Sequence, residues 1–312
     1  MSVEIIFIAG ATASGKSGLA LAVAKAVGGT VINADSMQVY NTLQVLSARP
    51  NTSEMDGIPH KLYGFLNPDA SYSVAQWHDQ AMVEITKAKN AGSIPILVGG
   101  TGLYFKSLLD GLNKIPEINA DIRDDVRSML AEQGAEHIYK LLQVEDPAMA
   151  EQLNKADGQR LARALEVYRS TGVSLATWQS QPQMGGLWQE NQDGKILKLV
   201  VERPRDETYD RINKRLLEMV DEGALDEVQQ LKAMNIASDN LAMKALGVPS
   251  FISYLNDEKS LEDCIVEAQT LTRRYAKRQM TWLRNQFSNW VRVSPDELKK
   301  LSSDKLLKAL GL

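Results

Sequence analysis

Residues 10–17 read Gly-Ala-Thr-Ala-Ser-Gly-Lys-Ser. The spacing, a glycine, four residues, then Gly-Lys-Ser, is that of a phosphate-binding loop. The flanks agree with it. Val3–Ala9 is a short apolar run that reads as a buried strand, and Ser17–Val27 is rich in Ala and Leu and reads as a helix. In a strand, glycine loop and helix, backbone N–H groups and a helix N-terminus face a polyphosphate. Lys16 would add a point charge, and the Ser17 hydroxyl would hold a magnesium ion. A glycine-rich turn that matches by coincidence is the competing reading. The motif speaks for a polyphosphate, ATP included, and leaves its fate open.

Working outward, Thr30–Ala34 reads as a second strand ending at Asp35-Ser36, and 41–73 reads as irregular, with Arg49-Pro50 and Pro59-His60 on loops. Ser73 caps a helix over 74–91, and Ile94–Val98 is a third strand, followed by Gly99-Gly-Thr-Gly102 and a helix to Leu109. Apolar runs alternating with helices imply an α/β fold, a P-loop parallel sheet flanked by helices. Ligands of such sheets bind at the carboxyl ends of the strands, so the loop, Asp35 and Thr101 should meet at one edge. From 115 the character changes. Helical patterns follow one another near 119–132, 136–143, 146–153 and 158–171, then 181–194 reads as a loop. This makes 115–194 an all-helical insertion domain in a core of 1–114 and 195–312. Lys195–Glu202 returns to strand character, and helices follow near 206–222, 224–234, 248–256 and 261–287.

The bulk numbers narrow the classes. The chain has 312 residues, 44% apolar and 24% charged, with a net charge of −4. That is a globular composition and argues against a generally basic nucleic-acid coat. One cysteine, Cys264, excludes a disulfide framework and a Cys-rich zinc finger. The N-terminus lacks a signal-peptide pattern, and no apolar run approaches the roughly 18 residues of a membrane span. A cytoplasmic protein with no membrane partner is expected.

Several residues could carry chemistry. Asp35 could bind magnesium, accept a proton, or merely cap a turn, and position alone leaves these open. Thr101 could donate to a phosphate or cap the next helix. Arg211 and Arg215, four apart, share a helix face with Lys214 nearby, which suits a pyrophosphate or a solvated face. Segment 268–292 carries Arg273, Arg274, Lys277, Arg278, Arg284 and Arg292 and no acid, with Tyr275, Trp282, Phe287 and Trp290 between them. Such a face suits a nucleic-acid backbone and stacked bases, and is compatible with aromatics packed in a core. His60, His78 and His137 show no metal-ligand spacing.

Taken together, Gly10–Ser17, Asp35-Ser-Met-Gln-Val-Tyr40, Ala48-Arg-Pro50, Leu97-Val-Gly-Gly-Thr-Gly-Leu-Tyr104, Gln159-Arg-Leu-Ala-Arg-Ala-Leu-Glu166 and Tyr275-Ala-Lys-Arg-Gln-Met-Thr-Trp282 resemble, in order and spacing, the bacterial tRNA dimethylallyltransferase (tRNA isopentenyltransferase) family. The resemblance runs from about residue 3 to 292. It implies transfer of a dimethylallyl group from dimethylallyl diphosphate to the exocyclic amine of the adenosine beside the tRNA anticodon, with Mg2+ as cofactor and the anticodon stem-loop as partner. A monomer is expected. By the same resemblance, Gly10, Ala11, Thr12, Ala13, Ser14, Gly15, Lys16 and Ser17 hold diphosphate with Arg211 and Arg215. Asp35 is the general base, Thr101 stabilises the leaving oxygen, and Lys16 neutralises its charge. Asp35, Ser36, Met37, Gln38, Thr101, Arg123, Gln159, Arg160, Leu161, Ala162, Arg163, Lys277 and Arg278 meet the tRNA. Two departures are visible. Ala11 stands where the family commonly has proline, and Ala242–Pro249 replaces a Gly-Tyr pattern. The zinc finger of eukaryotic members is absent. The competing readings are an isoprenyltransferase acting on free adenine nucleotides, a small-molecule kinase using ATP, and an RNA-binding module with a vestigial loop.

Overall fold

Every residue of β1 (Ile5–Gly10) is buried, so the strand reads as an unbroken apolar run and not as an alternating one. It lies at the centre of a six-stranded sheet in a computed structural model that describes residues 3–113, 115–181, 186–238, 240–298 and 301–312. In chain order β1 is followed by α1 (Lys16–Val27), β2 (Gly29–Asn33), α2 (Thr52–Met55), β3 (His60–Lys61), α3 (Val74–Asn90), β4 (Ile94–Gly99) and α4 (Gly102–Asp110). Next come α5 (Ala120–Glu145), α6 (Pro147–Ala150), α7 (Gly158–Thr171), α8 (Leu175–Ser180) and α9 (Trp188–Gln192). The chain continues with β5 (Ile196–Val201), α10 (Arg205–Asp221), α11 (Ala224–Ala233), α12 (Val248–Leu255), α13 (Leu261–Gln286), β6 (Val291–Val293), α14 (Pro295–Leu298) and α15 (Ser303–Leu310). The strand order is β3-β2-β4-β1-β5-β6, and all pairings are parallel.

Alternation along β1 divides the core. Ile5, Phe7 and Ala9 face α3, α4 and the end of α13, among Trp77, Phe105, Phe287 and Trp290. Ile6 and Ile8 face α1 and the C-terminal helices, among Leu19, Val23, Leu298 and Leu306. The basic segment is therefore divided as well. Phe287 and Trp290 stack on each other at 4.0 Å inside the core, which removes them from base stacking and leaves Tyr275 and Trp282 half-buried.

The chain divides into two compact units, Met1–Leu109 with Gly186–Leu312, and Asp110–Gly185. Return to the first unit comes earlier than residue 195. Leu187 is buried in the sheet's core, and its N–H donates to the Leu108 carbonyl at 2.9 Å. The expected loop 181–194 contains the short helix α9; its residues 182–185, and residue 114 at the expected boundary, lie outside the described residues. In the helical unit, the helices expected near 119–132 and 136–143 run end to end as α5 with a break at Gly134 (φ 78°). Pro59-His60, read as a loop, leads into β3, and β6, α14 and α15 were not anticipated. Three-residue strands carry too little sequence for periodicity to show. Among the described residues, no helix is long and apolar enough to cross a membrane.

Candidate active site

The loop between β1 and α1 is held open by its own backbone. Gly15 has φ 93° and Ala13 φ 61°, the left-handed region that glycine tolerates and alanine adopts only at some cost. Side chains from far along the chain take up the loop's outward groups. Arg211 Nε donates to the Ala13 carbonyl at 3.0 Å, Arg203 Nε to the Ser14 carbonyl at 3.3 Å, and Arg215 Nη2 to Thr12 Oγ1 at 2.7 Å. The carbonyls of 13 and 14 are thus tied outward. Arg211 and Arg215 turn to the loop because Ile212, Leu216 and Met219 bury the neighbouring face of α10, whereas Lys214 is exposed and pairs with Glu218 at 3.5 Å. Lys16 Nζ donates to the Ala11 carbonyl at 3.2 Å. Burial, with Arg215 adding repulsion and Asp35 opposing it, draws the Lys16 ammonium down to a pKa of about 8.

Asp35 stands at the carboxyl end of β2. Fully buried Asn33 organises this turn: its Oδ1 accepts from the Asp35 N–H at 2.9 Å, and its Nδ2 donates to the carbonyls of Asp35 and Leu62. Asp35 Oδ1 accepts from the Met37 N–H at 3.0 Å, and no hydrogen bond among the described residues engages Oδ2. Thr101, at the end of β4, accepts from the Ser36 N–H at 3.0 Å through Oγ1 and donates to Ser36 Oγ at 3.3 Å. These two strand exits can approach because position 99 is glycine; a Cβ there would collide with the Ala34 carbonyl.

Of these groups Thr12, Asp35 and Arg215 line a cavity of about 280 Å³, and Lys16, Thr101 and Arg211 are not among its lining residues. Thr12, Asp35 and Arg215 supply its polar wall, and Met37, Leu46, Ile212, Leu216 and Met219 an apolar one. A site with a cationic anion cradle, a carboxylate and an apolar wall can bind a diphosphate ester with a hydrocarbon tail and take a proton from an incoming nucleophile.

A family model described as IPP transferase matches residues 38–286. The chain belongs to the IPP transferase family. It is 44% identical over 293 residues to a tRNA dimethylallyltransferase of Agrobacterium fabrum, covering 94% of this chain and 97% of that one. It is 46% identical over 299 residues to one of Sphingopyxis alaskensis, covering 95% and 94%. Among solved structures, a full-length tRNA isopentenylpyrophosphate transferase of Bacillus halodurans superposes with a TM-score of 0.69 at 31% identity, covering 99% of this chain and 94% of that one. A eukaryotic dimethylallyltransferase acting on tRNA gives a TM-score of 0.80 at 27% identity, covering 98% and 78%.

Of the residues expected to meet the tRNA, Asp35, Met37 and Arg278 line the cavity and Gln38 does not. Gln38 is buried, and its Nε2 donates to the carbonyls of Ser47 and Ala48, so its amide hydrogens shape the cavity wall and are not available to a base. Arg123 and Gln159–Arg163 lie in the helical unit. There Leu161 and Ala162 are core residues of α7, which leaves Gln159, Arg160 and Arg163 as the outward side chains of that segment. Arg160 pairs with Asp157 at 3.4 Å and Arg163 with buried Glu166 at 3.5 Å. On α13, Arg274, Lys277, Arg278 and Arg284 are exposed and Arg273 bonds Asn213, while Arg292 of β6 bonds Glu202 and the carbonyls of Leu283 and Phe287. Among the described residues no cluster of three or more His, Cys, Asp or Glu side chains is placed to hold a metal.

Sequence reading missed four contributors. Arg203 ties the loop from the exit of β5. Glu227 of α11 accepts the N–H groups of Gln44, Val45 and Leu46 at 2.6–3.1 Å and so anchors the wall that carries Leu46. Lys244, Ala245 and Leu246 line the cavity from the segment that departs from the family pattern. Gln279 of α13 reaches the loop itself: its Oε1 accepts from the Thr12 N–H at 2.9 Å. Arg203 carried a signal in its place just beyond a strand's carboxyl end, and Gln279 and Lys244–Leu246 lie in stretches singled out for other reasons.

Proposed function

We propose that the chain transfers a dimethylallyl group from dimethylallyl diphosphate to the N6 amine of the adenosine 3′-adjacent to the tRNA anticodon, position 37, and releases diphosphate. The observation that carries this reading is the single cavity with Asp35 and the Arg215–Thr12 cradle on one side and Leu46, Ile212, Leu216 and Met219 on the other. The apolar wall suits a hydrocarbon tail held next to the diphosphate cradle. As the N6–C1 bond forms, the C1–O bond to diphosphate breaks and the amine proton passes to Asp35 Oδ2. Lys16, Arg215 and Arg211 meet the charge that develops on the leaving oxygens, and Thr101 orders the turn that carries Asp35. Adenine must leave its stack, which an unpaired anticodon loop makes less costly.

Ser17 fits a magnesium ion, since it is an exposed oxygen donor in the first turn of α1 beside the anion loop. Held there, the ion would neutralise diphosphate charge. The tRNA is gripped by Arg123, Gln159, Arg160 and Arg163 of the helical unit and by Arg274, Lys277, Arg278 and Arg284 of α13. The enzyme works as a cytoplasmic monomer.

With magnesium, radiolabelled dimethylallyl diphosphate and unmodified tRNA, label should enter the RNA. Label in AMP at an equal rate, or substrate-stimulated ATP hydrolysis with none in RNA, would overturn the reading. Binding to tRNA should weaken steeply with salt, and Lys277→Ala or Arg278→Ala should each lower the slope of log Kd against log salt by about one.

A further inference from the structure

Three segments must keep a fixed relation for this reaction: the diphosphate loop, the turn carrying Asp35 and the Gly99–Gly102 turn. Gly99 closes the last two against each other. β1 and β4 pair directly as far as Ala9 and Gly99, and beyond that ladder a side chain of α13 spans from the loop to the turn. Gln279 is buried on α13, and its Oε1 accepts from the Thr12 N–H at 2.9 Å while its Nε2 donates to the Gly100 carbonyl at 3.0 Å. Both halves of the amide are used, and each bond needs the role it has: an acceptor toward Thr12 and a donor toward Gly100. Thr12 is the residue whose hydroxyl accepts from Arg215, so the same residue is held from two directions. The bridge lies beside the proton acceptor. A Cβ placed on Gly100 would collide with Gln279 Nε2 and lie 3.5 Å from Asp35 Oδ2.

We propose that Gln279 is a positioning residue for prenyl transfer: it sets the distance between the group that holds the leaving diphosphate and the carboxylate that receives the amine proton. The inference rests on the function proposed above. Displacement requires nucleophile, carbon and leaving oxygen in line, and misplacement by about 1 Å costs on the order of 10²-fold in rate. A buried brace that satisfies a loop N–H and a turn carbonyl also keeps both from collapsing onto other partners.

The test uses two variants that keep the length of the side chain. Gln279→Met fills the space with no hydrogen bond. Gln279→Glu accepts from Thr12 when ionised but repels the Gly100 carbonyl, and when protonated it can accept and donate as glutamine does. Burial and the nearby Asp35 raise the pKa of such a carboxyl, bringing its protonation toward working pH. Single-turnover transfer and steady-state kcat and KM are measured for both variants and wild type from pH 6 to 8.5, with thermal unfolding as a check on the fold. Both variants should lose roughly 10–100-fold in kcat at pH 8, with tRNA KM within a factor of about two. The ratio of Q279E to wild type should rise severalfold as pH falls, while the ratio for Q279M stays flat. Wild-type kcat in both variants would overturn the proposal. So would equal losses at every pH together with a lowered unfolding midpoint, which mark a packing role. A wild-type protein that transfers no dimethylallyl group would instead remove the function on which the inference stands.

Discussion

Asp35→Asn should lower dimethylallyl transfer by about 10²–10⁴-fold, the usual contribution of a positioned general base, with tRNA affinity unchanged in a gel shift. Asparagine isolates the chemistry. Its side-chain oxygen can still accept from the Met37 N–H, the bond Asp35 Oδ1 makes at 3.0 Å, and Asn33 still holds the backbone N–H. Only the proton-accepting oxygen is lost. Of the three roles that the sequence leaves open for Asp35, turn cap and base thereby give opposite results. Turnover near wild type in Asp35→Asn would make the residue a cap and nothing more.

Lys16→Met should abolish measurable diphosphate binding and lower turnover by about 10²–10³-fold, yet raise the unfolding midpoint of the ligand-free protein at pH 7. The sign follows from burial. Folding draws the Lys16 pKa down from its ordinary 10.5 to about 8. Below pH 8 the folded protein carries the buried charge at full cost. Between pH 8 and 10.5 the unfolded chain binds more protons than the folded one, so wild-type stability at this group rises with pH. The advantage of Lys16→Met should accordingly be largest below pH 8 and fade toward 10.5. Because a bound anion restores the charged form, diphosphate binding to wild type should take up a proton near pH 8 and weaken above it, which calorimetry in buffers of different ionisation enthalpy can read. Equal midpoints at all pH values, with no proton uptake, would contradict the burial of this charge.

What the sequence disclosed follows from how far each signal reaches along the chain. The β1–loop–α1 unit, β2, β4 and β5 are apolar runs bounded by glycine or polar residues, and their parallel pairing places residues 10–17, 35 and 101 at one edge. The Arg211–Arg215 pair was legible as a face but not as a destination, because which way α10 turns is decided by Ile212 packing with Ala13 and Ala276 and by Leu216 and Met219 packing in a second core. Gln279 was invisible for a further reason. Its partners lie 267 and 179 residues away, and although it falls inside the Tyr275–Trp282 motif, that motif is read for its charges and aromatics and gives a neutral amide no role. Glu227 is similar: a helical carboxylate looks solvated until three N–H groups of a distant loop converge on it. The pair Phe287 and Trp290 errs the other way. Both rings sit in or beside a segment that suits RNA, and tertiary packing turns them inward.

The most direct measurement is mass spectrometry of tRNA nucleosides from cells lacking this protein. Loss of N6-(dimethylallyl)adenosine and of its derivatives at the position beside the anticodon, restored by the wild-type gene and not by one encoding Asp35→Asn, is the expected result. An unchanged nucleoside profile in the deletion would contradict the proposed function.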